Sequence, residues 1–499
     1  MKIRLTVFAV AALLICQPAE ARPAEGATPL CAGVDDSVGV AAAGAVTGNG
    51  WIVITRGQVC AVGTMTLPNL RVEKGGLLKL LTTGVVVEQL DAGLYQTFTN
   101  GLAGQGRVLL PGTFSVFPQW WGGVPKATVD STAAIAAAAA AAAGREVYLS
   151  SGTWINNTRL TISSNNLTIR GAGWSTVWRA KDGGVSPVQI AAANKDGLTI
   201  KDIKFVGNGV NPATPGSADP AIYLQTCRDV LLDRIYMTGF QGIGVAIANT
   251  SDNVKVTRST FRAMGQDQKG LAPVAGVAAI WASYGSSRVQ VIDNHFDDCR
   301  FGGVFLLCSH SLVAGNTFNH IGEAAIYSEY TNPLTLGVTG NNRILGNTIK
   351  DVYKVDISGT CIESSANDTV ISGNRIDRCE GNGIGVGAAS NVVVTSNIVS
   401  NANYKDGAPG TLNGAGILVM NITNALNPTK GSNIVVTNNV VFDDSTPPTS
   451  KYGLSISSWP TLTVFTNSKF ANNSISHCQT NLFVQSGVLD HPTNVLAGN

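Results

Sequence analysis

Between Val289 and Ser400 the chain repeats one arrangement of apolar and polar positions. Four stretches show it: Val289-Gln-Val-Ile-Asp-Asn294-His-Phe296, Leu312-Val-Ala-Gly-Asn316-Thr-Phe318, Arg343-Ile-Leu-Gly-Asn347-Thr-Ile349 and Thr369-Val-Ile-Ser-Gly-Asn374-Arg-Ile376. Each is a short apolar strand, a polar turn, an asparagine, one spacer and a large apolar residue. A second strand follows, often opened by glycine: Gly303-Val-Phe-Leu-Leu, Ala325-Ile-Tyr-Ser-Glu, Gly359-Thr-Cys-Ile-Glu and Gly383-Ile-Gly-Val-Gly. Counted on to Asn397, the asparagines recur at intervals of 22, 31, 27 and 23 residues. Repeats of this length, made only of strands and turns, predict a β-solenoid. One coil cannot bury its apolar face alone, but coils stacked at about 4.8 Å pair strand on strand and bring like residues into columns. Asparagine suits a sharp corner because it tolerates left-handed backbone and bonds locally, and a stacked column can share amide hydrogen bonds between coils. A β-sandwich also carries regular turn signals, but it does not require the same residue at the same place in every repeat.

The repeat extends in both directions, through Leu167-Thr-Ile-Arg-Gly, Leu198-Thr-Ile-Lys, Val230-Leu-Leu-Asp and Val254-Lys-Val-Thr before it, and Val392-Val-Val-Thr, Ile434-Val-Val-Thr and Phe470-Ala-Asn-Asn after it. Longer insertions at 207–220, 265–276, 330–340, 404–414 and 443–451 come from similar places in successive coils, which predicts loops crowded on one side and walling a groove. Residues 22–115 are β-prone without the clear repeat and read as irregular early coils or a small cap; the solenoid proper is placed at 116–499. Asp130 or Ser131 can cap a helix running through the alanines to Ala143, with Gly144 ending it. Such a helix would cover the open edge of the first coil, the hazard that a solenoid must blunt.

Lys2 and Arg4 precede the apolar run Leu5–Ile15, and Ala19-Glu20-Ala21 reads as a cleavage site. The expectation is a signal peptide over 1–21 and a secreted or periplasmic protein beginning near Arg22. Beyond this leader no stretch is apolar and long enough to span a bilayer. A net charge of +2 implies no attraction to nucleic acid or to an acidic membrane surface. Cys31 and Cys60 could pair after export. Cys227, Cys299, Cys308, Cys361, Cys379 and Cys478 sit among the repeats and read as small apolar residues stacked inside the coils. No Cys-x-x-Cys or histidine-rich cluster points to a metal.

Residues 116–154 add a family likeness. Pro118-Gln-Trp120-Trp121-Gly, Asp130-Ser-Thr-Ala-Ala-Ile, the alanine run and Val147-Tyr-Leu-Ser-Ser-Gly152-Thr-Trp154 resemble the N-terminal segment of the pectate-lyase-like superfamily, which includes phage tailspikes and rhamnogalacturonase/epimerase-like proteins. The resemblance implies an all-β, single-stranded, right-handed parallel β-helix with a short N-terminal capping helix. It is specific for the fold and weak for the reaction. The chain also departs from the pattern, with Val124-Pro-Lys-Ala-Thr-Val in place of the usual Gly-Asp-Gly. The resemblance leaves calcium open, since many extracellular β-helices of this kind use it, and it raises a trimer beside the expected monomer, although nothing near the C-terminus reads as a trimerisation domain.

Strand residues alternate between inside and outside. Aligned on the opening Gly or Ala, one outward column of the second strands reads Gly244, Trp281, Phe305, Tyr327, Cys361, Gly385, Leu418, and the next reads Ala246, Ser283, Leu307, Glu329, Glu363, Gly387, Met420. Trp281, Phe305 and Tyr327 would make a platform for sugar rings. Glu329 and Glu363 on adjacent coils would lie about 5 Å apart, so that one carboxyl is held protonated by the other, at the spacing of a retaining glycoside hydrolase. Which is acid and which nucleophile stays open. An elimination is the other chemistry weighed: a base takes the proton beside a uronate carboxylate and a cation steadies the enolate, roles open to Lys354, Arg300, His310 and Tyr327. Asn-Thr-Asp, Gly-His-Gly and Arg-Ile-Lys are absent as a set, and so is an Asp-Pro-His segment, which sets aside polygalacturonases and alginate epimerases as near resemblances. The functional expectation is a secreted carbohydrate-active protein that cleaves a polysaccharide by hydrolysis or elimination. The alternative is a non-catalytic glycan-binding, adhesin or envelope β-helix.

Overall fold

The computed structural model describes residues 28–29, 31, 35–47, 50–82, 84–100, 108–182, 188–208, 219–265, 278–329, 340–355, 359–403, 414–422, 431–459, 464–489 and 495–497. The leader read at 1–21 lies outside them, as do most of the insertions at 207–220, 265–276, 330–340 and 404–414. The chain divides between Gly112 and Thr113 into two compact units.

In the first unit, helix α1 (Ser37–Thr47) precedes two small parallel sheets. One is formed by Ile52–Ile54, Met65–Val72, Val85–Asp91 and Val108–Leu109, the other by Val59–Val62, Leu77–Leu80 and Phe98–Asn100. Their inward residues Leu70, Val72, Leu78, Leu80 and Phe98 are buried. The helix start is tied to this core by Asp36, whose carboxylate accepts the Ala61 amide at 2.9 Å. A Cys31–Cys60 disulfide joins the segment before the helix to the strand Val59–Val62.

The second unit is a stack of coils with three faces, all paired parallel: sheets of 14, 12 and 12 strands among the described residues. One coil runs Gln290–Ile292 in the first sheet, His295–Cys299 in the second, Gly302–Leu306 in the third, and returns to the first at Leu312–Ala314. Helix α2 (Thr132–Ala142) closes the N-terminal end and contacts the first strands, with Ile135, Ala138, Ala139, Ala141 and Ala142 buried beneath it. Asp130 starts it by accepting the Thr132 amide and hydroxyl, while Ala143, in left-handed backbone, ends it.

Inside the second sheet a column of large residues runs up the axis. Phe261 stacks on Phe296 at 5.1 Å, and Phe296 on Phe318 at 4.6 Å. These are the spacer-plus-apolar positions of the repeat. Each ring is fully buried and contributes about 1.5–3 kcal/mol by removal from water. At the corner before them the repeat asparagines form a ladder. The side-chain amides of Asn294, Asn316, Asn347, Asn374, Asn397 and Asn439 each donate to the carbonyl oxygen of the next, at 2.9–3.1 Å, ending on Asn473.

The ladder asparagines do not themselves adopt left-handed backbone, which corrects the expectation from sequence. That conformation belongs to the residue before each one: Asp293, Gly315, Gly346, Gly373, Ser396, Asn438 and Asn472. Asparagine is required for its amide, and the residue before it for the bend. The cysteine reading also needs correction. Cys227, Cys299 and Cys308 are buried thiols, but Cys361 and Cys379 form a disulfide. Cys361 is the second residue of a third-sheet strand and Cys379 ends the second-sheet strand of the next coil, and the corner brings their Cα atoms to 5.8 Å.

Candidate functional site

The outer face of the third sheet carries the aromatic residues. Strand register places Ala246, Trp281, Phe305, Tyr327, Glu363, Gly385 and Leu418 in one column. Trp281 and Phe305 have ring centroids 5.5 Å apart, and Phe305 and Tyr327 5.2 Å. All three rings are tilted and half-buried, so each keeps part of a face toward solvent.

Glu363 continues this column beside Tyr327, and the expected stacking of Glu363 on Glu329 is overturned. The cause is the choice of opening residue. The inward column of small residues is Gly244, Ala279, Gly303, Ala325, Cys361 and Gly383, so the counterpart of Gly303 is Cys361 and not Gly359. Smallness is demanded there: a Cβ on Gly303 would stand 2.5 Å from the Ala325 carbonyl oxygen of the next coil. The two-residue slip moves Glu363 one outward position along the strand and returns Gly244 and Cys361, read as outward from sequence, to the inward column. Ser365, not Glu363, therefore sits at the level of Glu329.

Glu329 is half-buried at the exit of its strand and accepts hydrogen bonds from the phenols of Tyr327 and Tyr284. Burial holds its carboxyl above the usual glutamate range, and the two phenol bonds pull it part of the way back. The raised value thus comes from desolvation rather than from a neighbouring carboxylate. Burial, reinforced by the charges of Glu329 and Glu363, keeps the Tyr327 phenol protonated far above neutral pH. Tyr284 is raised for the same first reason, burial, and then by Glu329. Sequence reading passed over Tyr284 because it follows the strand and belongs to no repeat column; its proximity in sequence to Trp281 was the only signal.

The remaining predicted residues are not gathered around this group. Arg300 and Lys354 lie at the corner between the second and third sheets, before the strands that carry Phe305 and Glu363. The Arg300 guanidinium sits 5.9 Å over the Phe301 ring, and the exposed Lys354 uses its backbone amide to reach Glu380. Exposed His310 occupies the corner between the third and first sheets in left-handed backbone, as Arg288, Asn341 and Asp368 do in other coils. Among the described residues no group of three or more His, Cys, Asp or Glu side chains is placed to hold a metal ion, and no helix is long and apolar enough to cross a membrane.

Three parallel sheets wound coil upon coil, closed at one end by a helix and carrying an aromatic–carboxylate column outside, make this a right-handed parallel β-helix protein. The model of the right handed beta helix region family matches residues 221–367 and 278–488, together more than half of the chain, and the chain belongs to that family. No curated protein matches the sequence significantly. Among solved structures the chain is similar to the A-module of the Azotobacter vinelandii mannuronan C-5 epimerase AlgE4, at 17% identity and a TM-score of 0.61, covering 77% of this chain and 100% of that one. It is also similar to PfbA, a surface adhesin of Streptococcus pneumoniae, at 14% identity and a TM-score of 0.50 over 77% of this chain and 93% of the adhesin. A tailspike protein of E. coli bacteriophage HK620 matches at 13% identity and a TM-score of 0.50 over 76% and 64% of the two chains. At these identities the likeness is one of fold.

Proposed function

We propose that this is an exported carbohydrate-active protein that hydrolyses a polysaccharide along the outer face of the third sheet. The observation that carries the reading is the column Trp281–Phe305–Tyr327–Glu363 with Glu329 beside it. The rings offer apolar faces to successive sugars, and the acids stand where the rings end. Glu329, whose carboxyl burial lifts above the usual glutamate range, is the general acid that protonates the leaving oxygen. Glu363 acts as the carboxylate that activates water. Their diagonal placement on adjacent strands separates their stems by about 7–8 Å, wider than the direct stacking expected from sequence, and carboxyls held at such a spacing would suit inversion. Hydrolysis is preferred to elimination because the cations an enolate would need, Arg300 and Lys354, stand at the corner rather than beside Tyr327. Names among the fold relatives, a mannuronan epimerase and a surface adhesin, are compatible with a glycan partner.

Acidic and neutral polysaccharides, incubated with the purified protein and followed in parallel for reducing ends and for the absorbance of unsaturated uronates, test this reading. Reducing ends without the absorbance are expected. Reducing ends with it would replace hydrolysis by elimination, and neither signal from any polymer, with binding retained, would replace the enzyme by a binding protein.

The pH profile should report Glu329. As general acid it works below its raised pKa, so turnover falls as pH rises through that value. The Tyr284 bond stabilises the carboxylate form. Tyr284→Phe is therefore expected to move the alkaline limb to higher pH; an unmoved limb would take Glu329 out of the acid role.

A further inference from the structure

A second aromatic group stands on another face, in earlier coils. Trp174 is 48% exposed at the turn between the first-sheet strand Thr168–Gly171 and the second-sheet strand Thr176–Ala180. Its ring reaches along the axis past one coil to the next. The indole N–H donates to the Arg234 carbonyl oxygen at 3.0 Å, and the ring meets Tyr236 edge-on at 5.3 Å. The Lys204 ammonium, in the coil between, sits 5.0 Å from the Tyr236 centroid. The support beneath is rigid: Arg234 pairs with Asp202 at 2.7 Å and with Asp233 at 2.6 Å, and Arg258 holds Asp233 from the next coil. The large indole is thus held in one orientation with an open face, although burying it would be favourable.

The surface continues from there. From Lys204 and Tyr236 the same outward column of the second sheet proceeds through Thr260, His295, Thr317 and Thr348, the last three exposed. Hydroxyl and imidazole groups therefore repeat at the coil spacing of about 4.8 Å, close to the advance of one sugar in an extended chain. An apolar ring, an adjacent ammonium and a line of small hydrogen-bonding groups fit a sugar polymer that carries carboxylates.

We infer that Trp174, Tyr236 and Lys204 form a second glycan-binding platform, distinct from the third-sheet site, which holds an acidic sugar unit of a polysaccharide laid along the second sheet. The inference rests on the reading of the protein as glycan-acting, and it adds a place that retains polymer without cutting it.

Affinity electrophoresis of the full chain through gels containing alginate, polygalacturonate or dextran tests it, with Trp174→Ala, Lys204→Gln and Trp281→Ala run beside the wild type. Trp174→Ala is expected to weaken retardation by an acidic polymer roughly fivefold. Its turnover of a short oligosaccharide should stay unchanged. Lys204→Gln should weaken retardation by the acidic polymers and not by dextran. Trp174→Phe, which keeps a ring, should restore part of the binding and separates loss of the platform from loss of fold. If Trp174→Ala and Lys204→Gln migrate as wild type in every polymer that retards it while Trp281→Ala does not, the second platform is overturned and the third-sheet reading stands. If no polymer retards the wild type, both fall.

Discussion

Glu329→Gln should lower polysaccharide turnover by about 10²–10⁴-fold, the usual contribution of a positioned acid. The amide has the shape of the acid and can still accept from Tyr284 and Tyr327, but it cannot deliver a proton to the leaving oxygen. Glu363→Gln should cost a similar factor by removing the base, and the double variant should lose less than the product of the two, since the groups act in one step. Binding is expected to survive all three substitutions because Trp281, Phe305 and Tyr327 are untouched. Initial rates and oligosaccharide affinity measured on the same preparations separate these effects. Full activity in both single variants would remove the site from the catalytic reading, whereas loss of binding together with activity would assign the carboxylates to holding substrate.

The largest effect on stability is expected at the ladder, with Asn347→Ala. This side chain accepts the Asn316 backbone amide at 3.0 Å and its side-chain amide at 3.0 Å, and donates to the Val313 carbonyl at 3.0 Å and to Asn374 at 3.0 Å. Alanine would leave the buried Asn316 backbone amide without its acceptor and take one bond each from the Asn316 side-chain amide, the Val313 carbonyl and Asn374, at about 1–3 kcal/mol for each group left unsatisfied. Substitution of the exposed neighbour Thr348 by alanine should have little effect, because its side chain faces solvent. Thermal and urea unfolding monitored by circular dichroism would compare the two variants. A solenoid couples mainly neighbouring coils, so Asn347→Ala should also broaden the transition as the stack divides at the weakened coil. Equal midpoints for the two variants would show that the ladder contributes no more than an exposed side chain does.

Much of this architecture was legible in the linear chain because a solenoid is close to one-dimensional. The period of the asparagines gave the coils, the spacer-plus-apolar positions gave Phe296 and Phe318 one repeat apart, and the alanine run with Asp130 before it gave the capping helix. The ladder between coils followed from one residue type recurring at one place. Helix α1 was missed because no polar–apolar stripe marks Ser37–Thr47, whose apolar and alanine-rich sequence resembles the β-prone stretches around it.

The aromatic column on the third sheet was also legible, since alternation along each strand decides which face a residue occupies. Its register was not. Coils differ in length, and a glycine such as Gly359 looks like a strand opener whether or not it stands at the crowded inward position. Only the stacked coils, where the carbonyl above Gly303 excludes a larger side chain, reveal that Cys361 fills that place in its own coil. From that one position follow the Cys361–Cys379 disulfide and the alignment of Glu363 with Tyr327. The sequence by itself determined the periodicity and the outward facing of Trp281, Phe305 and Tyr327, because these depend on neighbours along the strand. The tertiary structure alone decided which coils' residues meet and how far each carboxyl is removed from water, because those depend on chains that are distant in sequence and adjacent only in the stack.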